Sequence, residues 1–288
     1  MCPSGFRYLL LLIASGFCCV GCNKVGRFAV GASPLQDSIL LDQPYGNDPA
    51  QRVDVYLPEG RVSSETCSMV FIHGGGWTTG DKQDFTDAVK EWRRRYPKYA
   101  FFNMNYRLAT PREHHFPSQE EDMQLMIDYI RQHSAAFNIT TRKVLLGASA
   151  GAHLAALQAY KHNDSADITG IICLYGAYDI SSLFAEGTPY VRNLVMQLMG
   201  AMPEEIPVNY EDASPVHYVN SKSPPTLLMH GSEDSVAPVT SARALAAKLK
   251  AMQVPVQYIE YKYGHGVPPE AAIGAIQQMG DFNLRYNK

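Results

Sequence analysis

Ser149 stands at the centre of Gly147-Ala148-Ser149-Ala150-Gly151, between the apolar run KVLL and the small-residue segment AHLAALQAY. A serine on a sharp strand-to-helix turn holds its hydroxyl clear of the backbone, and so tight a turn tolerates only small flanks. Such a hydroxyl becomes a nucleophile once a base stands beside it.

A second glycine-rich stretch, FIHGGGWTTGDK, runs from Phe71 to Lys82 directly after another apolar run. Serine attack on a carbonyl creates a tetrahedral oxyanion, which needs preorganised donors. Backbone N–H groups serve well where no side chain blocks the approach. The expected donors are Gly75 and Gly76 with Ala150, the residue after the serine; Gly74 in place of Gly76 is the alternative. No Gly-Lys-Ser/Thr sequence follows the glycines, which argues against a phosphate cradle.

A serine on such an elbow is followed along the chain by an acid and then a histidine. The segment LLMHGSEDSVAP offers Glu233 and Asp234, and YKYGHGVPP offers His265 between two glycines. Asp179 in YGAYD is a rival acid. His73 is expected to brace the glycine loop by hydrogen bonding, and His230 to be structural. His114 and His115 are adjacent, so in an extended chain their side chains diverge. No spaced cysteine or carboxylate joins them, and no metal site or other cofactor is expected. Trp77, Tyr106 and Phe116 are candidate pocket walls.

These residues need a frame. The stretches 53–58, 68–74, 99–108, 143–149, 168–176, 225–231 and 256–264 read as strands, most of them nearly continuous apolar runs as in strands buried on both faces. Amphipathic segments alternate with them. Met123, Met126, Ile127 and Ile130 form one stripe, with Ser118 and Glu121 spaced as a capping box. Leu245, Leu249 and Met252 form another. Strand–helix alternation predicts an α/β fold with a mostly parallel sheet and helices on both faces. Residues 180–223 are too long a connection and are expected to form a small lid above the sheet.

The chain has 288 residues, 18% of them charged, and a net charge of −3. Near balance offers no field for nucleic acid or an anionic membrane. Arg93, Arg94 and Arg95 read as a solvated helix face. Residues 1–22 read as a signal peptide: Arg7 precedes an apolar core, Tyr8 to Val20, too short to span a bilayer comfortably. Val20-Gly21-Cys22 resembles the end of a bacterial lipoprotein signal, with Cys22 as lipid anchor; a cut after Ala14-Ser15-Gly16 is the competitor. Export to the periplasm or cell surface follows, with membrane attachment through the lipid. Cys67 and Cys173, the cysteines beyond the signal, read as buried thiols, with a single disulfide between them as the alternative.

Taken together, HGGGWTTGDK, NYRL, GASAGAHL, YGAYD, SPVHYV, HGSEDSVAP and GHG resemble α/β-hydrolase serine esterases of the HGGGW kind. These include hormone-sensitive-lipase-like carboxylesterases, feruloyl/acetyl esterase-like proteins and kynurenine formamidases. The resemblance runs from about Val53 to the C-terminus. It implies the α/β-hydrolase fold and a triad of Ser149, Asp234 and His265, Asp234 being the acid of the HG-x-x-D-x-x-x-P segment. The larger N-terminal cap of hormone-sensitive-lipase-like enzymes is not expected, since only ~50 residues separate Cys22 from His73. The implied activity is hydrolysis of short-acyl or aromatic esters, small or glycan-linked, through an acyl-enzyme. Aryl formamide hydrolysis by the same machinery is the alternative, and a non-catalytic binding module on the same fold is a third reading.

Overall fold

The computed structural model describes residues 35–287. The signal-peptide and Cys22 expectations lie outside them. In chain order the strands are β1 (Ser38–Pro44), β2 (Arg52–Leu57), β3 (Ser68–Ile72), β4 (Ala100–Met104), β5 (Lys143–Ala148), β6 (Ile168–Leu174), β7 (Thr226–Gly231) and β8 (Val256–Tyr261). The α-helices are α1 (Thr86–Arg95), α2 (Ser118–Phe137), α3 (Ala150–Lys161), α4 (Ile180–Glu186), α5 (Pro189–Met199), α6 (Pro207–Asp212), α7 (Val239–Ala251) and α8 (Ala272–Tyr286).

One eight-stranded sheet runs in the order β1-β2-β4-β3-β5-β6-β7-β8. The strands from β4 to β8 are parallel, while β2 is antiparallel to both neighbours. This is the α/β-hydrolase fold. The edge strand β1 is absent from the sequence-based reading. Its side chains alternate between half-buried and exposed, and a bulge interrupts its register between Leu40 and Gln43, so it offers no continuous apolar run.

The pleat sorts the core into two layers. On β3, Met69 and Phe71 face one side, where they join Val89 and Trp92 of α1 and Met279 and Phe282 of α8. Val70 and Ile72 face the other, among Met123, Met126 and Ile130 of α2 and Leu154 of α3, in a layer that extends to Leu245 of α7. Each such buried side chain contributes roughly 1.5–3 kcal/mol. Cys67 and Cys173 are free, buried thiols. Two local expectations change. Ser118 is already inside α2, whose N-cap is Pro117 with no side-chain cap, and Glu121 pairs instead with Arg107. Met252 is the exposed C-cap of α7 rather than part of its buried stripe.

Strand order reverses at β3, with β4 on one side and β5 on the other. A crevice opens beyond the carboxyl ends of parallel strands at such a switch point. The glycine loop leaves β3 there, and Ser149 leaves β5 beside it.

Candidate active site

Ile72 and Gly147 are register partners across β3 and β5, so the chain beyond each strand emerges side by side. Ser149 takes φ +54° and ψ −118°, a strained conformation for a residue with a side chain. Its N–H is held by the Leu174 carbonyl of β6 at 2.8 Å, and its own carbonyl accepts from Ala152 and His153. Gly151 is demanded by closeness: a Cβ there would lie 2.0 Å from the carbonyl oxygen of Ile72. The elbow is therefore pressed directly against the end of β3. Ala150 opens α3, and N–H groups in the first turn of a helix have no intrahelical partner.

His265 follows β8 and Asp234 follows β7, whose last register pair is Gly231 with Tyr261. His265 Nε2 is 2.9 Å from Ser149 Oγ, and His265 Nδ1 is 2.7 Å from Asp234 Oδ2. The Asp234 side chain is buried, and its Oδ1 accepts the N–H groups of Val236 and Ala237 at 2.8 and 2.9 Å. Burial alone would raise the pKa of Asp234. Hydrogen bonds from His230 and His265 more than offset that and hold the carboxyl well below the usual range. An ionised Asp234 only accepts, so the proton sits on His265 Nδ1 and the Nε2 lone pair is left to receive the serine hydroxyl. Tyr175 packs edge-on to the imidazole, with ring centroids 5.0 Å apart. Glu233 is exposed, and Asp179 caps α4 through the N–H of Ser182.

The glycine loop is held from behind. Tyr106 Oη donates to the carbonyls of His73 and Gly74 at 3.1 and 3.2 Å, and His73 Nδ1–H donates to the Gly74 carbonyl at 2.8 Å. The imidazole stacks on the Tyr106 ring at 4.3 Å, and burial lowers its pKa, so it stays neutral. The Gly75 carbonyl accepts from the N–H groups of Thr78 and Thr79 and from Thr79 Oγ1. In a trans peptide N–H and C=O point oppositely. The N–H groups of Gly75 and Gly76 thus turn away from these anchors, and both residues line the cavity at Ser149. Gly75 has φ +100°, and a Cβ on it would fall 2.1 Å from the Thr79 carbonyl oxygen. Glycine is required there by the loop's own turn as well as by access to the carbonyl.

The far end of the loop is fastened to β4. Asn105 Oδ1 accepts the Lys82 N–H, and Asn105 Nδ2 donates to Asp81 Oδ2 at 2.7 Å. Buried Lys82 Nζ reaches Asp42 and Asp54 at 2.9 and 3.0 Å. This joins the GDK and NYRL stretches physically.

Tyr106 is a correction. It is 1% exposed, beneath the loop rather than on the cavity wall, because its hydroxyl is spent on two loop carbonyls. Trp77 is buried beside a narrow recess that also touches Ser149. Its ring N–H donates to His153 Nδ1 at 3.1 Å, and His153 Nε2–H donates to the Ala213 carbonyl at 2.7 Å. Burial pushes the His153 pKa down to about 4, so the ring is neutral and links the loop, α3 and the 180–223 segment. Sequence reasoning passed over His153; its only signal was a histidine on the elbow helix. His230 is more than structural padding. Its Nε2 donates to the Ala237 carbonyl at 2.7 Å and stands 3.3 Å from Asp234 Oδ2.

Ser149 opens onto a cavity of about 470 Å³, lined by the three loop glycines, Thr79, Asp84, Phe85, Tyr175 and His265. Tyr190 and Leu194 of α5, from the segment read as a lid, complete its wall.

The BD-FAE family model matches residues 53–249, which include the glycine loop, the elbow and Asp234. The chain belongs to the BD-FAE family. His265 lies beyond the BD-FAE match. Among curated proteins, esterase LipC of Mycobacterium tuberculosis is 29% identical over 77% of this chain and 58% of its own length. The chain spans about half the length of the curated relatives it matches. Among solved structures, an acetyl ester-xyloside bifunctional hydrolase from Caldicellulosiruptor lactoaceticus superposes with a TM-score of 0.70 at 23% identity, over 87% of this chain and 97% of that one. A thermophilic esterase from Thermogutta terrifontis gives 0.68 at 18% identity, over 86% and 94%. These two likenesses show the fold.

Proposed function

We propose that this chain is a serine carboxylesterase acting on short-acyl or aromatic esters through an acyl-enzyme, with Ser149, His265 and Asp234 as its triad. The observation that carries the reading is the continuous hydrogen-bonded chain from Ser149 Oγ through His265 to Asp234. Ser149 Oγ attacks the ester carbonyl while His265 Nε2 takes its proton. Asp234 orients the ring and stabilises the imidazolium. The oxyanion is received by the N–H groups of Gly75, Gly76 and Ala150, the last aided by the positive end of α3. His265 then protonates the departing alcohol, and water enters to hydrolyse the acyl-enzyme by the reverse proton path. No step needs a metal or cofactor.

The mixed polar and aromatic lining of the open cavity supports a glycan-linked or other hydroxyl-bearing alcohol. The lipoprotein reading of Cys22 joins this proposal: an exported, membrane-attached enzyme would meet external esters. Release of the protein from the membrane fraction on Cys22→Ala tests that part, and unchanged retention would remove it.

The central test is hydrolysis of p-nitrophenyl esters by purified protein, with Ser149→Ala as control. Serine-dependent turnover supports the reading; turnover undiminished in folded Ser149→Ala removes it. Aryl formamides in the same assay distinguish an amidase using the same residues.

A further inference from the structure

The open cavity at Ser149 carries one sign of charge. Among the described residues, Asp84 is the one carboxylate on its wall, and no lysine or arginine lines it. Asp84 lies in the short turn Lys82–Phe85, between the glycine loop and α1. Its Oδ2 accepts the Asp81 N–H at 3.2 Å, and no ion pair forms on it among the described residues. The cations of the flanking elements are committed elsewhere: Lys82 Nζ to Asp42 and Asp54, Lys90 to Asp87, and Arg192 of α5 to the carbonyls of Phe184 and Ala185. Asp81, bonded to Asn105 and to the Gln83 N–H, adds to the same sign.

That field acts on the departing group. The alcohol takes its proton from His265 Nε2, and His265 lines this cavity, so the alcohol oxygen and what it carries share the space that Asp84 faces. An unpaired carboxylate there repels an anionic alcohol and attracts a cationic one. The rings on the same wall act in the same sense. Phe85, Tyr175 and Tyr190 line the cavity, Tyr190 65% exposed at its rim, and the face of an aromatic ring is negative. A bare carboxylate also opposes the oxyanion that develops at the neighbouring glycine loop. A cation on the substrate offsets that opposition, whereas a second anion adds to it.

We infer that Asp84 is a specificity-determining residue, and that the enzyme prefers esters whose alcohol carries an ammonium group and discriminates against those whose alcohol carries a carboxylate. This inference rests on the serine-esterase reading. It concerns the alcohol side alone and leaves the acyl part open. The acid is held for the task by its own turn: the Asp81 N–H fixes Oδ2 and leaves Oδ1 without a partner among the described residues.

The experiment measures kcat/KM on three phenyl acetates matched in shape, bearing a trimethylammonium, a tert-butyl or a carboxylate group at the meta position of the phenol. Wild type, Asp84→Asn, Asp84→Lys and Ser149→Ala are compared. Asparagine keeps an oxygen for the Asp81 N–H, so the turn is preserved while the charge is lost. Each charged ester is read relative to the uncharged one, and each variant relative to wild type, which cancels the intrinsic reactivities of the esters. One exposed charge pair is worth about 2- to 5-fold, so the cation-to-anion ratio should fall about tenfold in Asp84→Asn and about 100-fold in Asp84→Lys. In about 1 M salt, where the screening length is about 3 Å, the wild-type ratio should shrink towards that of Asp84→Asn. A ratio that moves by less than about twofold in both folded variants overturns the assignment of Asp84 and leaves the esterase reading intact. Absence of Ser149-dependent turnover on all three esters overturns that reading and this inference with it.

Discussion

His230, the penultimate residue of β7, and Asp234, on the turn that follows, meet at one oxygen: His230 Nε2 lies 3.3 Å from the same Asp234 Oδ2 that receives His265 Nδ1 at 2.7 Å. The His230 ring is 1% exposed and is tied to the Ala237 carbonyl, one residue beyond the Val236 that donates to Asp234 Oδ1. The acid is therefore held on Oδ1 by its own turn and on Oδ2 by His230 at the end of β7.

His230→Asn should loosen that grip without touching substrate. The expected effect is a fall in kcat of about 10- to 100-fold with little change in KM, as misplacement of a catalytic group away from the substrate produces. Steady-state kinetics on an activated ester measures it. Equal loss through KM, with kcat intact, would place His230 outside the positioning of Asp234.

Ser149→Ala and His265→Ala should each remove nearly all turnover, on the order of 10⁶ in kcat. The strained φ of +54° at Ser149 separates stability from activity. Ser149→Gly should be more stable than Ser149→Ala by about 1 kcal/mol, because glycine relieves strain of roughly 1–3 kcal/mol at some entropic cost. Urea unfolding of the two inactive variants compares them, and a more stable alanine variant would contradict the strain.

Gly75→Ala should damage the loop itself. Its Cβ would meet the Thr79 carbonyl oxygen at 2.1 Å, so the turn must open and the donors move. A kcat loss of about 10²–10³, the value of one oxyanion donor, is expected together with a lower Tm. Full activity in this variant would show that the Gly75 turn does not set the donor positions.

Acid should weaken the fold through His153. Its folded pKa of about 4 lies below the ordinary 6.5, so between those values the unfolded chain binds a proton that the folded chain does not. Stability is full above pH 6.5 and falls on acidification towards pH 4, by about 2–3 kcal/mol over the interval. His153→Gln should flatten that part of the profile, as read by urea unfolding at pH 7 and 4.5. Asp234 adds its own loss only at lower pH, since its carboxyl stays ionised below the usual range.

Much of this was legible in the chain. Strands buried on both faces read as continuous apolar runs, so β2 to β7 and the mostly parallel sheet stood out; the edge strand β8, half-buried at most, was still legible from its Val256–Tyr261 pattern, whereas β1, exposed at the other edge and bulged, was not. The elbow and the glycine loop announced themselves because both backbones are so crowded that only small residues fit. Tyr106 was misplaced for the opposite reason. A large aromatic next to a glycine loop has the same composition whether it lines a cavity or braces the loop from behind. Only the hydrogen bonds of its hydroxyl distinguish the two.

By itself, then, the sequence determined what local sterics and periodicity control: the fold class, the family, and which residues were small enough or reactive enough to form the site. Relations between distant segments belonged to the tertiary structure. It selected Asp234 over the neighbouring Glu233 by burial, since only a carboxylate turned inward meets His265. It placed His230 against that acid and His153 between the glycine loop and the 180–223 segment. It also split the space at Ser149 into a wide and a narrow part, because the walls come from α4, α5 and the β3 loop, which are remote in sequence and become neighbours only when the sheet's strand order brings them to one end.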